Sequence, residues 1–192
     1  MNTLKEFSPN IEIYSIDEAF LLLDGYERYN LTDYALKMKN TIFNHIGMPV
    51  GVGIAPTKAL AKVANHISKK FRNQLNNVYV IDSEEKRIKA LKWLPIRDVW
   101  GIGRAHKKRL LHQGVVSAYH FTLLSDSFVR KQMGIVGLRL KQELEGKSCL
   151  NLEEIQPKKK RLDLLKVLGI KFLIMKLFLK RCLRMFLIVL LS

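Results

Sequence analysis

Apolar and polar residues alternate along residues 11–23, which is the pattern of two half-buried β-strands. The strands meet at the sequence YSIDEAF (residues 14–20), and Asp24 and Gly25 close the second of them. Short apolar runs at residues 50–55 and 78–81 predict two further strands. Helical spacing before and between these runs predicts two helices. The resulting order, β-β-α-β-α-β, predicts an α+β fold with a mixed sheet and helices on one face.

Capping residues suggest where these helices begin and end. The first helix is predicted to start at a Thr32 cap and to stop at Gly47, and the second to start near Thr57. From Ser83 onward the sequence becomes helical and strongly basic, which indicates a small all-helical unit. In that unit we expect a short helix over residues 95–100 and a second over residues 104–113. Further boundaries are predicted at the caps Ser117 and Asp126 and at the stop Gly146.

The chain has 192 residues, of which 48% are hydrophobic, and a formal net charge of +16. Such a length is enough for one or two compact domains with a real core. The charge favours a polyanionic partner, with nucleic acid as the first choice and a lipid surface as the other. The two cysteines, Cys149 and Cys182, have no metal-type spacing and indicate ordinary thiols. Residues 1–6 have no apolar segment of a secretory signal, so a cytoplasmic location is expected.

Two adjacent carboxylates, Asp17 and Glu18, form the first candidate site. They offer the hard oxygen ligands that Mg²⁺ prefers, although an Asp-Glu pair can also simply occupy a hairpin turn. Lys58 is predicted just after a strand and at the start of a helix, where a cation and free backbone N–H groups can bind a nucleotide triphosphate. The alternative for Lys58 is a solvated lysine of the first helical turn. For Lys62, one turn later, the solvated interpretation fits better.

A Gly-Ile-Gly turn between two predicted helices forms the second candidate site. Gly101 and Gly103 allow backbone amides to approach a DNA phosphate, and Arg104, Lys107 and Lys108 add positive charge. The pattern is that of a helix-hairpin-helix that binds the DNA backbone without reading its sequence. A plain connector between two helices is the alternative.

Three segments occur in a fixed order: YSIDEAF at residues 14–20, GVGIAPTKALAK at 51–62 and WGIGR at 100–104. Together they resemble the Y-family translesion DNA polymerases. The sequences of the segments, including VWGIGR at residues 99–104 and CLNLEE at residues 149–154, are most similar to the bacterial UmuC subfamily. The resemblance spans residues 11–160. It implies a partial polymerase palm over residues 1–82, a helical thumb over 83–150 and a linker over 151–160.

The same resemblance implies roles for the candidate residues. Asp17 would bridge two Mg²⁺ ions, Glu18 would bind the ion that activates the primer hydroxyl, and Lys58 would contact the triphosphate. The implied partners are primer-template DNA and deoxynucleoside triphosphates, together with UmuD-like accessory subunits and a recombinase filament. No membrane partner is implied.

Both ends of the sequence depart from the family pattern. The N-terminal strand with a further catalytic aspartate and the fingers domain are not recognisable. Residues 161–192 form an apolar and basic tail with Asp163 as its one acid. We therefore expect a chain shortened at the N-terminus and frameshifted or divergent at the C-terminus, inactive alone, with a tail that lacks a folded partner. The alternatives are a non-catalytic DNA-binding module and a disrupted gene product that does not fold stably.

Overall fold

The computed structural model describes residues 2–15, 17–26, 28–151 and 187–191. A 3-10 helix over Asn2–Glu6 comes first, and another over Ile96–Asp98 lies in the helical part. The strands are β1 (Ile11–Ile13), β2 (Glu18–Leu21), β3 (Val50–Ile54), β4 (Val78–Val80) and β5 (Leu187–Leu191). The helices are α1 (Leu31–Ile46), α2 (Lys58–Lys70), α3 (Arg72–Leu75), α4 (Glu84–Trp93), α5 (Arg104–His112), α6 (Ala118–Thr122) and α7 (Asp126–Leu144).

The strands form one five-stranded sheet in the order β1-β2-β5-β3-β4. β1 and β2 are antiparallel, with Glu12 opposite Phe20, and all other neighbours are parallel. The predicted α+β class with a mixed sheet is therefore confirmed. So is the antiparallel hairpin around the two acidic residues, which places their turn at one end of the sheet.

The prediction that helices cover one face of the sheet is wrong. Neighbouring residues of a strand point to opposite faces. Val50, Val52 and Ile54 belong to a buried cluster with residues of α1, whereas a Cβ at Gly53 would lie 2.2 Å from the backbone nitrogen of Asn65 in α2. The alternation of valine and glycine in β3 thus buries apolar side chains against α1 and leaves room for the backbone of α2 on the other face.

Several helix boundaries agree with the predicted caps, and two do not. Gly47 ends α1 in the left-handed conformation, and the Thr57 side chain caps α2 by accepting from Leu60 N. The cap of α1, however, is Asn30 rather than Thr32, because the Asn30 side chain accepts from Thr32 N and Asp33 N. For the same reason the cap of α7 is Ser125 rather than Asp126: the Ser125 hydroxyl accepts from Phe128 N.

The tail contributes one strand to the sheet. β5 is hydrogen-bonded to β2 on one side and to β3 on the other, so the expectation of a tail without a folded partner is wrong for residues 187–191. The predicted linker from residue 152 onward and the tail up to residue 186 lie outside the described residues. Without β5, the β1-β2 and β3-β4 pairs would share no direct strand pairing.

Helices α4 to α7 follow the sheet and pack with α2 around a second buried cluster that includes Leu91, Ile96 and Phe121. Gly134 interrupts α7 with a φ of 69°, where one continuous helix was expected. Throughout the described ranges, no helix is both long enough and apolar enough to cross a membrane. The division into residues 1–82 and 83–150 stays a prediction.

Candidate functional site

The two predicted metal ligands lie in the turn between β1 and β2, which we call the acid turn (residues 14–18). The turn is tight because the backbone N–H groups of Tyr14 and Ser15 both donate to the Glu18 carbonyl, at 3.0 and 3.1 Å. The Ser15 hydroxyl donates to Asp17 Oδ1 at 2.6 Å. Asp17 thus lies in the turn and Glu18 begins β2, and their role as metal ligands stays a prediction.

Glu18 is engaged in an internal ion pair with α2. Its Oε2 accepts from Lys62 Nζ at 2.7 Å, and the two side chains are 18% and 13% exposed. The same ammonium lies 4.5 Å from the ring centre of Tyr14 and 5.7 Å from those of Phe20 and Trp100. The interpretation of Lys62 as a solvated lysine is therefore wrong, because β2 and three aromatic rings cover it.

Lys58, the predicted phosphate ligand, lies in a second and deeper ion pair. Its Nζ donates to Glu12 Oε2 at 2.5 Å and to the Asn151 carbonyl at 2.6 Å. The Lys58 and Glu12 side chains are 7% and 8% exposed, and the ammonium lies 5.2 Å from the Phe20 ring centre. In this arrangement Lys58 is held by protein groups, and its proposed role toward a triphosphate stays a prediction.

A buried carboxylate that was not predicted, Glu143 of α7, organises the start of α2. Glu143 Oε2 accepts from Ala59 N at 3.1 Å, and its Oε1 accepts from the backbone N–H groups of Cys149 and Leu150. The Thr57 hydroxyl donates to the Glu143 carbonyl at 2.7 Å. Thr57 signals the start of α2 in the sequence, but its partner lies 86 residues away and leaves no local signal.

A cavity of about 160 Å³ opens beside the Glu18–Lys62 pair, between α2 and the segment that precedes Gly101. Burial lowers the pKa of Lys69, which lines this cavity, although Glu18 and Asp17 oppose the shift. Seven of the residues around the cavity carry polar or aromatic groups: Glu18, Lys62, Asn65, His66, Lys69, Asp98 and Trp100. The cavity mixes both charge signs, so its lining alone does not define one ligand class.

The acid turn does not by itself fit a divalent metal ion. In the part of the chain that the structure describes, no three His, Cys, Asp or Glu residues are grouped closely enough to hold one. Moreover, Glu18 already has a cationic partner in Lys62. We therefore derive no catalytic step through a metal ion from this geometry.

The second candidate site, which we call the basic segment (residues 101–108), projects into solvent. Gly101 has a φ of 84°, a backbone conformation that favours glycine, and no side chain caps α5 at Gly103. Arg104 and Lys108 are exposed and Lys107 is half-buried. Among the described residues, no salt bridge is recorded for any of these three. The structure thus places a 3-10 helix, a glycine turn and a basic α-helix in succession.

Comparison with known proteins shows which family and which proteins the chain is similar to. Residues 1–66 match the model of the impB/mucB/samB family. The chain is 40% identical to Protein UmuC of Salmonella typhimurium over 163 residues, which is 84% of this chain and 39% of that protein. The chain is therefore similar to the impB/mucB/samB family. It spans about 39% of the length of this relative.

The fold of the chain agrees with solved structures of similar proteins. The crystal structure of DinB from Sulfolobus solfataricus is 28% identical, with a TM-score of 0.62 over 80% of this chain and 44% of that one. A Y-family DNA polymerase chimera, also 28% identical, gives a TM-score of 0.64 over 82% of this chain and 45% of that one. The resemblance to Y-family polymerases drawn from the three sequence segments is thereby confirmed.

Proposed function

We propose that the chain provides part of the palm and the thumb of an error-prone translesion DNA polymerase, an enzyme that adds deoxynucleotides opposite a damaged template. The observation that carries the proposal is the ion pair between Glu18 and Lys62, which joins the acid turn to α2 on a sheet of the Y-family type, with Lys58 one helical turn before Lys62. Carboxylates and a lysine near a helix start are suited to a metal-dependent reaction of a triphosphate.

The roles proposed for the individual residues follow the family resemblance. Asp17 and Glu18 would contribute oxygen ligands to Mg²⁺, together with ligands beyond these two, and Lys58 would contact the triphosphate. The proposed partners are primer-template DNA, deoxynucleoside triphosphates, UmuD-like accessory subunits and a recombinase filament, in the cytoplasm. Because Glu18 and Lys58 are both held by internal ion pairs, we propose that this chain alone does not extend a primer.

A second candidate function is a non-catalytic DNA-binding module. The observation in its favour is the contrast between the two candidate sites: the acid turn is internally paired, whereas the basic segment is exposed. The free amides at the start of α5 and the cations of the helix are aimed at phosphates rather than at base edges. Binding would then be independent of DNA sequence and strongly dependent on salt.

Equilibrium binding to a short labelled duplex across a salt series tests the DNA contact shared by both candidates. The Lys107→Ala/Lys108→Ala variant should flatten the slope of log affinity against log salt by about one unit for each lost phosphate contact. Lys37→Ala, at an exposed lysine of α1, is the matched control and should leave the slope unchanged. Equal slopes in all three proteins would remove the basic segment from the DNA interface.

Primer extension then tests the proposed inactivity of the chain. With Mg²⁺ and all four triphosphates, we expect the wild-type chain to bind the primer-template without extending it. Extension that Asp17→Ala abolishes would contradict the proposed inactivity and establish the acid turn as catalytic. Extension that survives Asp17→Ala would place any catalytic centre elsewhere.

A further inference from the structure

Residues 147–151, which we call the strap, follow the end of α7 and lie against the start of α2. The strap contains no helix or strand of its own, and its Leu150 is half-buried. Leu150 is not a member of either of the two buried clusters formed by the described residues. The strap is therefore held by polar contacts rather than by apolar burial, and a segment held in this way can open locally without unfolding its neighbours.

The first polar anchor of the strap is the carboxylate of Glu143, a fully buried residue. Its Oε1 accepts from Cys149 N at 2.6 Å and from Leu150 N at 3.0 Å, while its Oε2 accepts from Ala59 N at 3.1 Å. Hydrogen bonds from N–H groups to a carboxylate are about twice as strong as those between neutral groups. A single side chain of α7 therefore joins the strap to the first turn of α2.

The second anchor of the strap is the Lys58 ammonium, which donates to the Asn151 carbonyl at 2.6 Å as well as to Glu12 Oε2 at 2.5 Å. Asn151 is exposed, whereas the Lys58 side chain is 7% exposed. The strap thus lies between Lys58 and solvent. Because an ammonium has only donors, departure of the strap would free one N–H of Lys58 for another acceptor.

Two cavities lie beside the strap, and the strap forms a wall of both. One, of about 430 Å³, is also lined by Arg139 of α7, and the other, of about 460 Å³, by Pro56 before α2. The residues that line both cavities are Lys58, Leu150 and Asn151. Opening of the strap would therefore join the two cavities into one cleft, with Lys58 exposed along it.

From these contacts we infer that the strap is a releasable cover over Lys58 and that Glu143 is the positioning residue that holds it shut. With the strap in place, Lys58 is bound to Glu12 and Asn151. With the strap open, Lys58 keeps Glu12 and presents its freed donor to the joined cleft, where Arg139 adds positive charge. On the proposed function, on which this step rests, the triphosphate contact of Lys58 would then depend on opening of the strap.

Two labelling rates of the full chain test the cover. In a Cys182→Ser background Cys149 is the remaining cysteine, so its alkylation by iodoacetamide reports exposure of the strap. Acetylation by acetic anhydride, located by mass spectrometry, reports exposure of Lys58. Leu150→Pro removes an N–H that Glu143 accepts and changes no helix or strand. We expect both rates to rise at least about tenfold, because loss of a hydrogen bond to a carboxylate favours the open strap by that order.

Lys62 is the internal control for Lys58. It lies in the same helix and is also ion-paired, but its recorded hydrogen bond is to Glu18 rather than to the strap, so its acetylation should change by less than about twofold. Glu143→Gln should act like Leu150→Pro, because an amide NH₂ would then face backbone N–H donors. Glu85→Gln makes the same change at an exposed carboxylate of α4 and should leave both rates unchanged.

Three results would overturn the releasable cover: unchanged alkylation of Cys149 in Leu150→Pro, faster alkylation without faster acetylation of Lys58, or equal rises in acetylation at Lys58 and Lys62. Circular dichroism establishes that each variant is folded. If Glu143→Gln is not folded, Leu150→Pro decides alone, because it alters only the strap. Since neither DNA nor a triphosphate is present, a failure here leaves the proposed DNA contact and the primer-extension prediction unaffected.

Discussion

The acid turn and the basic segment carry opposite charges and also use their charges differently. At the acid turn, Lys58 and Lys62 are directed inward at Glu12 and Glu18, in pairs that are mostly removed from water. In the basic segment, Arg104 and Lys108 face solvent. The net charge of +16 is therefore not evenly available to a polyanion. The cations that matter for DNA binding are those that the fold leaves outside.

We expect the largest effect from removing β5, the strand that joins the β1-β2 pair to the β3-β4 pair. This change should affect the acid turn and leave the basic segment intact. Deleting residues 187–192 should expose the edges of β2 and β3, which both pair with β5, and should remove most of their protection against amide hydrogen exchange. Protection in α5 should persist, since α5 packs in the other buried cluster. Hydrogen exchange followed by mass spectrometry measures both regions in one sample.

Deletion of Ser192 alone is the control for this truncation and should leave β2 and β3 protected. Unchanged protection of β2 after the larger deletion would mean that β5 does not stabilise the acid turn. Loss of protection in α5 as well would mean that the acid turn and the basic segment unfold as one unit. Their stabilities could then not be distinguished.

The next effect distinguishes an internal ion pair from a surface one. Glu12→Ala leaves the Lys58 ammonium buried without its carboxylate and should lower the free energy of unfolding by about 3 kcal/mol. Asp82→Ala removes the exposed partner of Lys86, and should change the free energy of unfolding by less than about 0.5 kcal/mol. Urea unfolding of both variants against wild type gives the two values. Similar losses in both would show that burial does not distinguish these pairs.

The smallest effect concerns Lys69, whose pKa is lowered by burial. A lysine with a lower pKa in the folded state destabilises the protein while it is protonated, and this penalty disappears as the pH rises through the folded pKa toward the unfolded value of about 10.4. Lys69→Met should therefore raise the melting temperature slightly at neutral pH, and the gain should shrink toward pH 10. Thermal melts at a series of pH values, with Lys70→Met as reference, measure this. A gain in melting temperature that grows with pH would contradict the lowered pKa of Lys69.

Local sequence signals predicted the elements that depend on local physics. Thr57 supplies a side-chain cap and Gly47 a left-handed stop, so both boundaries could be found from short segments. The hairpin at the acid turn followed from alternation. Asn30 was missed because Thr32 and Asp33 are also common near helix starts, and the choice among them depends on which side chain reaches the free N–H groups.

Features that depend on distant residues could not be predicted in this way. Periodicity gives the buried side of a helix but not the face of the sheet that receives it. The glycines of β3 indicate a close approach only once α2 is packed against them. Glu143 meets Ala59 across 84 residues, and Lys62 meets Glu18 across 44. In each case the residue type is ordinary, and its role arises from a partner that the fold brings close.

The indole of Trp100 gives the acid turn an optical signal of its own. The chain has two tryptophans, and the other, Trp93, packs against Phe71 and His66. In a Trp93→Phe background, ultraviolet emission would come from an indole that is hydrogen-bonded to Tyr14 and close to a lysine ammonium. Departure of that ammonium would change the colour and yield of the emitted light, so the state of the acid turn could be followed in real time without an attached dye.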